Sequence, residues 1–99
     1  MAETIDDLTV NYEEDGVQLT KELDKVILTR GAWTTIIFRF VQWDPKKEAY
    51  SPDRYAIRRY KKSGDTYRMQ SKFGISSRDQ AQKIIAALTR WMDAPEGEA

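Results

Sequence analysis

The chain has no cysteine and no histidine. Those two absences remove disulfides, the thiol nucleophile, the soft metal ligands and the side chain that most often moves protons near neutral pH. No P-loop, GxGxxG or GxSxG pattern is present either. The remaining acids fall in an N-terminal cluster or in turns such as Asp44 and Asp65, positions that suit turn formation and solvation better than a desolvated acid–base pair. Asp6-Asp7 and Glu13-Glu14-Asp15 match no calcium loop. No run approaches the roughly 20 apolar residues of a membrane span. The start, Met1 to Asp7, is acidic and lacks the basic and apolar segments of a signal peptide. The expectation is a cytoplasmic protein that is not an enzyme, with no cofactor, no metal, no small-molecule substrate and no membrane association.

What is present suffices for one folded unit. The 99 residues are 40% hydrophobic and 11% aromatic, enough for a core, at a length where a single core is marginal and a homodimer helps. The formal net charge is zero, yet the charges are segregated. Residues 1–24 carry eight acids against Lys21 alone, a net −7; residues 25–94 carry fifteen bases against six acids, a net +9; Glu96 and Glu98 add −2. The chain therefore divides into an acidic N-terminal arm or hairpin (1–24), a basic module (25–94) and an acidic tail (95–99). A basic module with an acidic flank points toward nucleic acid. The arm is either a solvated tail or a segment that lies on the basic face and competes for it.

Within the arm, Leu8 to Tyr12 reads as a short strand and Glu14-Asp15-Gly16 as a turn before Val17-Gln18-Leu19. The module starts with a strand at Val26–Thr29 and a turn at Arg30-Gly31. Trp33–Trp43 follows, rich in β-branched and aromatic residues. A polar loop with two prolines precedes strands at 54–61 and 66–73, joined by Lys62-Ser63-Gly64-Asp65. The last element is a helix. Ser76 or Ser77 can cap it, and Ala81, Ile84, Ile85, Leu88, Trp91 and Met92 form one stripe at helical spacing. The fold class is α+β: an antiparallel four-stranded sheet, with or without an N-terminal hairpin, packed on one C-terminal amphipathic helix.

Side chains alternate across a strand. Simple alternation groups Ile36, Phe38, Phe40, Tyr55, Ile57, Tyr67, Met69 and Phe73 as the floor for the helix. It sends Trp33, Arg39, Trp43, Arg54, Arg58, Tyr60, Arg68, Gln70 and Lys72 to the open face, cations interleaved with rings. Phosphates suit the cations and bases suit the rings. A charged outer face is also what solubility requires. A Trp33/Ile37/Val41/Trp43 stripe is the alternative: a docking strip of a protein–protein interaction module.

Two segments carry a family resemblance. Lys72-Phe73-Gly74-Ile75-Ser76-Ser77-Arg78-Asp79, a basic strand end leading through Gly-Ile-Ser into an acid in the first helical turn, resembles the strand-to-helix junction of the positive-cofactor-four family of transcriptional coactivators and its bacterial relatives. Arg54-Tyr55-Ala56-Ile57-Arg58-Arg59-Tyr60 is similar to that family's basic strand. The resemblance spans about residues 25–92. It implies a curved sheet with one helix, a homodimer, and low-specificity binding of single-stranded nucleic acid, DNA more than RNA, in transcription or DNA maintenance. It also implies that Arg39, Arg58, Arg68 and Lys72 meet phosphates while Trp33 or Tyr60 meets bases; Arg54 and Gln70 join them as candidate contacts on the expected open face.

Overall fold

A computed structural model describes residues 4–94 and 97. The 95–99 tail, apart from Gly97, lies outside the described residues. The architecture is α+β, one antiparallel sheet with a single C-terminal helix, in a slab of 52 × 39 × 17 Å. The strands are β1 (Tyr12–Glu14), β2 (Val17–Thr29), β3 (Trp33–Asp44), β4 (Ala49–Tyr50), β5 (Arg54–Ser63) and β6 (Thr66–Ile75); the helix α1 is Arg78–Met92. The sheet order is β1-β2-β3-β5-β6, with β4 pairing the end of β3. The sheet thus has five to six strands where four were expected.

Of the two additional strands, β4 comes from the polar loop after β3 and β1 from the acidic segment, which also lengthens β2. Asp15 (φ 51°) and Gly16 (φ 80°) both take left-handed conformations, as a tight hairpin turn of primed type requires. That turn reverses the chain into β2, whose 13 residues zip along β3 from Thr20↔Gln42 to Thr29↔Thr35. The boundary drawn between residues 24 and 25 therefore falls inside a strand. The first hairpin strand is Tyr12–Glu14, later than the expected Leu8–Tyr12.

Residues 5–10 do something else: they cover the sheet. Leu8 and Val10, each 4% exposed, join Ile36, Phe38, Tyr60 and Tyr67 in the core, after a short 3-10 turn at Ile5–Asp7. Polar bonds hold this segment down. Lys25 Nζ donates to the carbonyls of Asp6 (2.6 Å) and Leu8 (2.7 Å). Thr9 Oγ1 donates to Glu22 Oε1, and Asn11 Oδ1 accepts from the Glu22 amide. The half-buried Lys25 ammonium is a charged donor with two backbone acceptors, so Lys25→Met, which keeps the aliphatic stem, is expected to lower stability by about 1.5–3 kcal/mol in urea denaturation.

The register assigns the faces differently from simple alternation. Directly paired residues share a face, and β3 pairs β5 through Ile36↔Arg58, Ile37↔Ile57, Phe38↔Ala56 and Arg39↔Tyr55. Ile36, Phe38 and Phe40 therefore lie with Arg58, Ala56 and Arg54, not with Tyr55 and Ile57. In β6 an extra residue, Gln70, sits between Met69 (opposite Tyr60) and Ser71 (opposite Arg59). This bulge reverses the parity, so Tyr67 enters the core while Phe73 is 55% exposed on the opposite face.

The face bearing Ile36 and Phe38 is closed by residues 5–10. The other, bearing Ile37, Arg39, Tyr55 and Ile57, carries α1. Ser77 caps α1 by accepting the Gln80 amide through its hydroxyl at 3.1 Å, and Gln80 Oε1 accepts from the Ser76 amide at 2.9 Å. No residue of α1 is buried. An open groove of about 720 Å³ separates it from the sheet, and Ile85, Leu88, Trp91 and Met92 are 61, 49, 59 and 75% exposed. No helix among the described residues is long and apolar enough to cross a membrane.

Candidate nucleic-acid interface

The β2–β3 and β5–β6 turns lie at one end of the sheet, about 20 Å along the strands from the start of α1, since Trp33 pairs Lys61 and Ile75 pairs Tyr55 six residues away. At this end, on the α1 face, three side chains meet and a fourth, Arg68, stands one strand further out. Trp33 is 44% exposed. The Arg59 guanidinium carbon is 4.7 Å from its ring centroid and the Lys61 ammonium 5.3 Å. Arg68 faces Lys61 across the ladder. All three cations are exposed, and among the described residues no carboxylate lies within 4 Å of any of them.

Two physical consequences follow. Cations over an indole face hold the ring in place through its quadrupole, worth about 0.5–1 kcal/mol at an exposed site. Like charges directly opposite on neighbouring strands, as Lys61 and Arg68 are, repel each other. An anion seated between them removes that repulsion. The corner therefore offers a half-exposed indole with two cations over its ring and a third on the next strand, none with a carboxylate partner among the described residues.

The expected open face is not one surface. Trp33, Arg39, Trp43 and Arg68 lie on the α1 face. Arg54, Arg58, Tyr60 and Lys72 lie on the opposite face, because the β3–β5 register pairs Arg58 with Ile36 and Tyr60 with Thr34. Tyr60 is a core residue at 4% exposure and presents no ring to a base. Arg39 is spoken for: its Nε donates to Asp53 Oδ2 at 2.6 Å beside the α1 groove. Gln70 is the bulge residue of the edge strand, its amide donating to the Arg68 carbonyl. Of the eight candidates, then, only Trp33 and Arg68 come together at the corner.

Sequence reasoning missed Arg59 and Lys61. Alternation had placed them with the core set, and the signal that would have recovered them was Ile57: an apolar partner for Ile37 demands that Arg59 and Lys61 follow Ile37's face. The alternative stripe also divides. Val41 is 8% exposed, Ile37 lines the α1 groove, and Trp43 packs edge-on against Tyr50 at 5.1 Å, leaving Trp33 alone in the open. Tyr50 is itself fixed by its hydroxyl donating to the Gln18 carbonyl at 2.9 Å. Among the described residues no group of three carboxylates could hold a metal ion. No family model, curated protein or solved structure matches the chain.

Proposed function

We propose that the chain is a non-enzymatic, low-specificity binder of single-stranded nucleic acid, DNA in the first instance, that uses the Trp33–Arg59–Lys61–Arg68 corner. The observation that carries this reading is an exposed indole with two cations over its face and a third on the neighbouring strand, none with a carboxylate partner among the described residues. Stacking of a base on an aromatic ring is worth about 1–3 kcal/mol and tolerates any base, while the cations meet the phosphates on either side of it. A role in transcription or DNA maintenance, and kinship with the positive-cofactor-four group, belong to the same reading.

The test is a titration with (dT)12 followed by tryptophan fluorescence. Three neutralised phosphates give a slope of log K against log salt of about −2, from roughly 0.7 counterions released per phosphate on a single strand. Quenching that persists in a Trp33→Phe variant, or binding indifferent to salt, discards the reading.

We further propose that the working form is a homodimer joined through α1. A two-fold interface needs a patch complementary to itself, and the Ile85/Leu88/Met92 stripe is apolar along its length and uncovered. Ile85→Glu is expected to convert a dimer into a monomer in sedimentation equilibrium, since each buried isoleucine contributes about 1.5–3 kcal/mol. A wild-type chain that sediments as a monomer at high concentration removes this part.

A further inference from the structure

Charge is separated along the sheet as well as along the chain. Trp33 pairs Lys61 at one end. Thr20 pairs Gln42 roughly 30 Å further along β3, and the Asp15-Gly16 turn between β1 and β2 lies beyond that. The first end carries Arg59, Lys61 and Arg68; the second closes on Glu13, Glu14 and Asp15. All six side chains are exposed, and among the described residues none has an opposite charge within 4 Å.

The hairpin tip has the chemistry that the corner takes. Glu14 pairs Val17, and its carboxylate accepts from the Tyr12 hydroxyl at 3.3 Å, so Tyr12, Glu14 and Val17 share one face of the tip with Asp15 at its turn. Tyr12 and Val17 are 55 and 41% exposed. A phenol ring beside carboxylates offers what a base beside phosphates offers: a ring for Trp33 and negative charge for the cations around it. Three successive carboxylates without a cation repel one another, as Lys61 and Arg68 do, so joining the two ends relieves both. Within one chain the ends cannot meet, because the β2–β3 and β3–β5 ladders hold them apart. The tip can reach only the corner of another molecule.

We infer that the acidic β1–β2 tip of one copy docks on the Trp33 corner of a second copy, head to tail, and so occupies the proposed nucleic-acid site. The contact shares with the nucleic-acid reading only the openness of the corner, and it needs no nucleic acid to form. It joins two different patches, so every pair keeps one free tip and one free corner, and association continues into chains or rings. It also differs in kind from a contact through α1. Apolar burial tolerates salt, whereas the end-to-end contact weakens as the Debye length falls from about 30 Å at 0.01 M to about 3 Å at 1 M. Concentrated protein thereby covers its own corners, and a strand with more negative charge than the tip displaces it.

The test is sedimentation velocity of the full chain carrying Ile85→Glu, which takes out the α1 contact. In low salt this chain is expected to sediment faster as its concentration rises, and in high salt as a monomer. The unmodified chain is expected to grow beyond its dimer in the same salt-dependent way, so the outcome does not hang on that substitution. Two further variants are made in the Ile85→Glu chain: Glu13→Gln/Glu14→Gln/Asp15→Asn, where asparagine keeps the left-handed turn accessible, and Arg59→Gln/Lys61→Gln/Arg68→Gln. Each is expected to be folded by circular dichroism and monomeric in low salt. Mixed in equal amounts they are expected to associate again but to stop at a 1:1 pair, since one supplies an intact corner and the other an intact tip. A low-salt monomer, association that survives in either variant alone, or a mixture that stays monomeric overturns the contact. (dT)12 is expected to return the Ile85→Glu chain to monomers with the strand bound. Assemblies that take up (dT)12 without coming apart overturn the competition, and assemblies that form as described but leave (dT)12 unbound overturn the nucleic-acid reading alone.

Discussion

A chain that begins at Tyr12 is expected to lose its cooperative unfolding transition. Residues 5–10 supply Leu8 and Val10 to the core and cover Ile36 and Phe38, both fully buried. Burying two aliphatic side chains is worth about 1.5–3 kcal/mol each. The two bonds from the one Lys25 ammonium, a charged donor, add about 1.5–3 kcal/mol together. The total is comparable with the whole 5–15 kcal/mol by which a domain of this size is stable. The truncated chain would also expose Phe38, Tyr60 and Tyr67 to water. Thermal melts followed by circular dichroism and near-ultraviolet spectra read the outcome directly. A melt unchanged from wild type would mean that the segment is a solvated tail. Tighter nucleic-acid binding by a well-folded truncated chain would mean instead that it competes for the basic surface. The structure favours neither, because the segment's apolar side faces the core and, among the described residues, Asp6 reaches one cation, Arg30, at 3.7 Å while Asp7 accepts from the Thr4 hydroxyl.

Reversing Arg59, Lys61 and Arg68 to glutamate together is expected to abolish (dT)12 binding with circular dichroism unchanged. All three side chains are exposed and none has a carboxylate partner among the described residues, so the fold loses the stacking of Arg59 and Lys61 on Trp33. The ligand loses three charge-assisted contacts of about 1.5–3 kcal/mol each and meets repulsion in their place, a loss of at least about 10³-fold in affinity. Arg39→Ala makes the contrast. Its partner is Asp53, and both side chains are partly exposed, at 51 and 34%, so the pair is worth about 0.2–1 kcal/mol to the fold and its removal leaves the corner intact. Equal loss of binding in the two variants would mean that a diffuse positive field, not the Trp33 corner, captures the strand.

Local pattern sufficed for the elements. The run from Trp33 to Trp43 became β3, the Lys62–Asp65 turn joined β5 to β6, and the stripe from Ala81 to Met92 became α1 behind the Ser77 cap. Each depends on neighbours in sequence: backbone propensity, turn geometry, capping and helical spacing. The acidic segment was harder, because Glu22, Asp24 and Lys25 look like a solvated stretch until β3 supplies a long partner for them.

Composition and pattern alone thus determined the fold class, the helix, the cap and the separation of charge along the chain. Only the tertiary structure decided which charges stand together. A face assignment depends on parity, and parity changes with a single-residue shift: Ile37 pairs Ile57, not Phe38 as alternation assumed, and the Gln70 bulge flips every residue of β6 before it. Those two events moved Arg58 and Lys72 away from Trp33, put Tyr60 in the core and brought Arg59 and Lys61 onto the indole. They are settled by long-range pairing and by the closure of residues 5–10 over Phe38, which no local window of sequence contains.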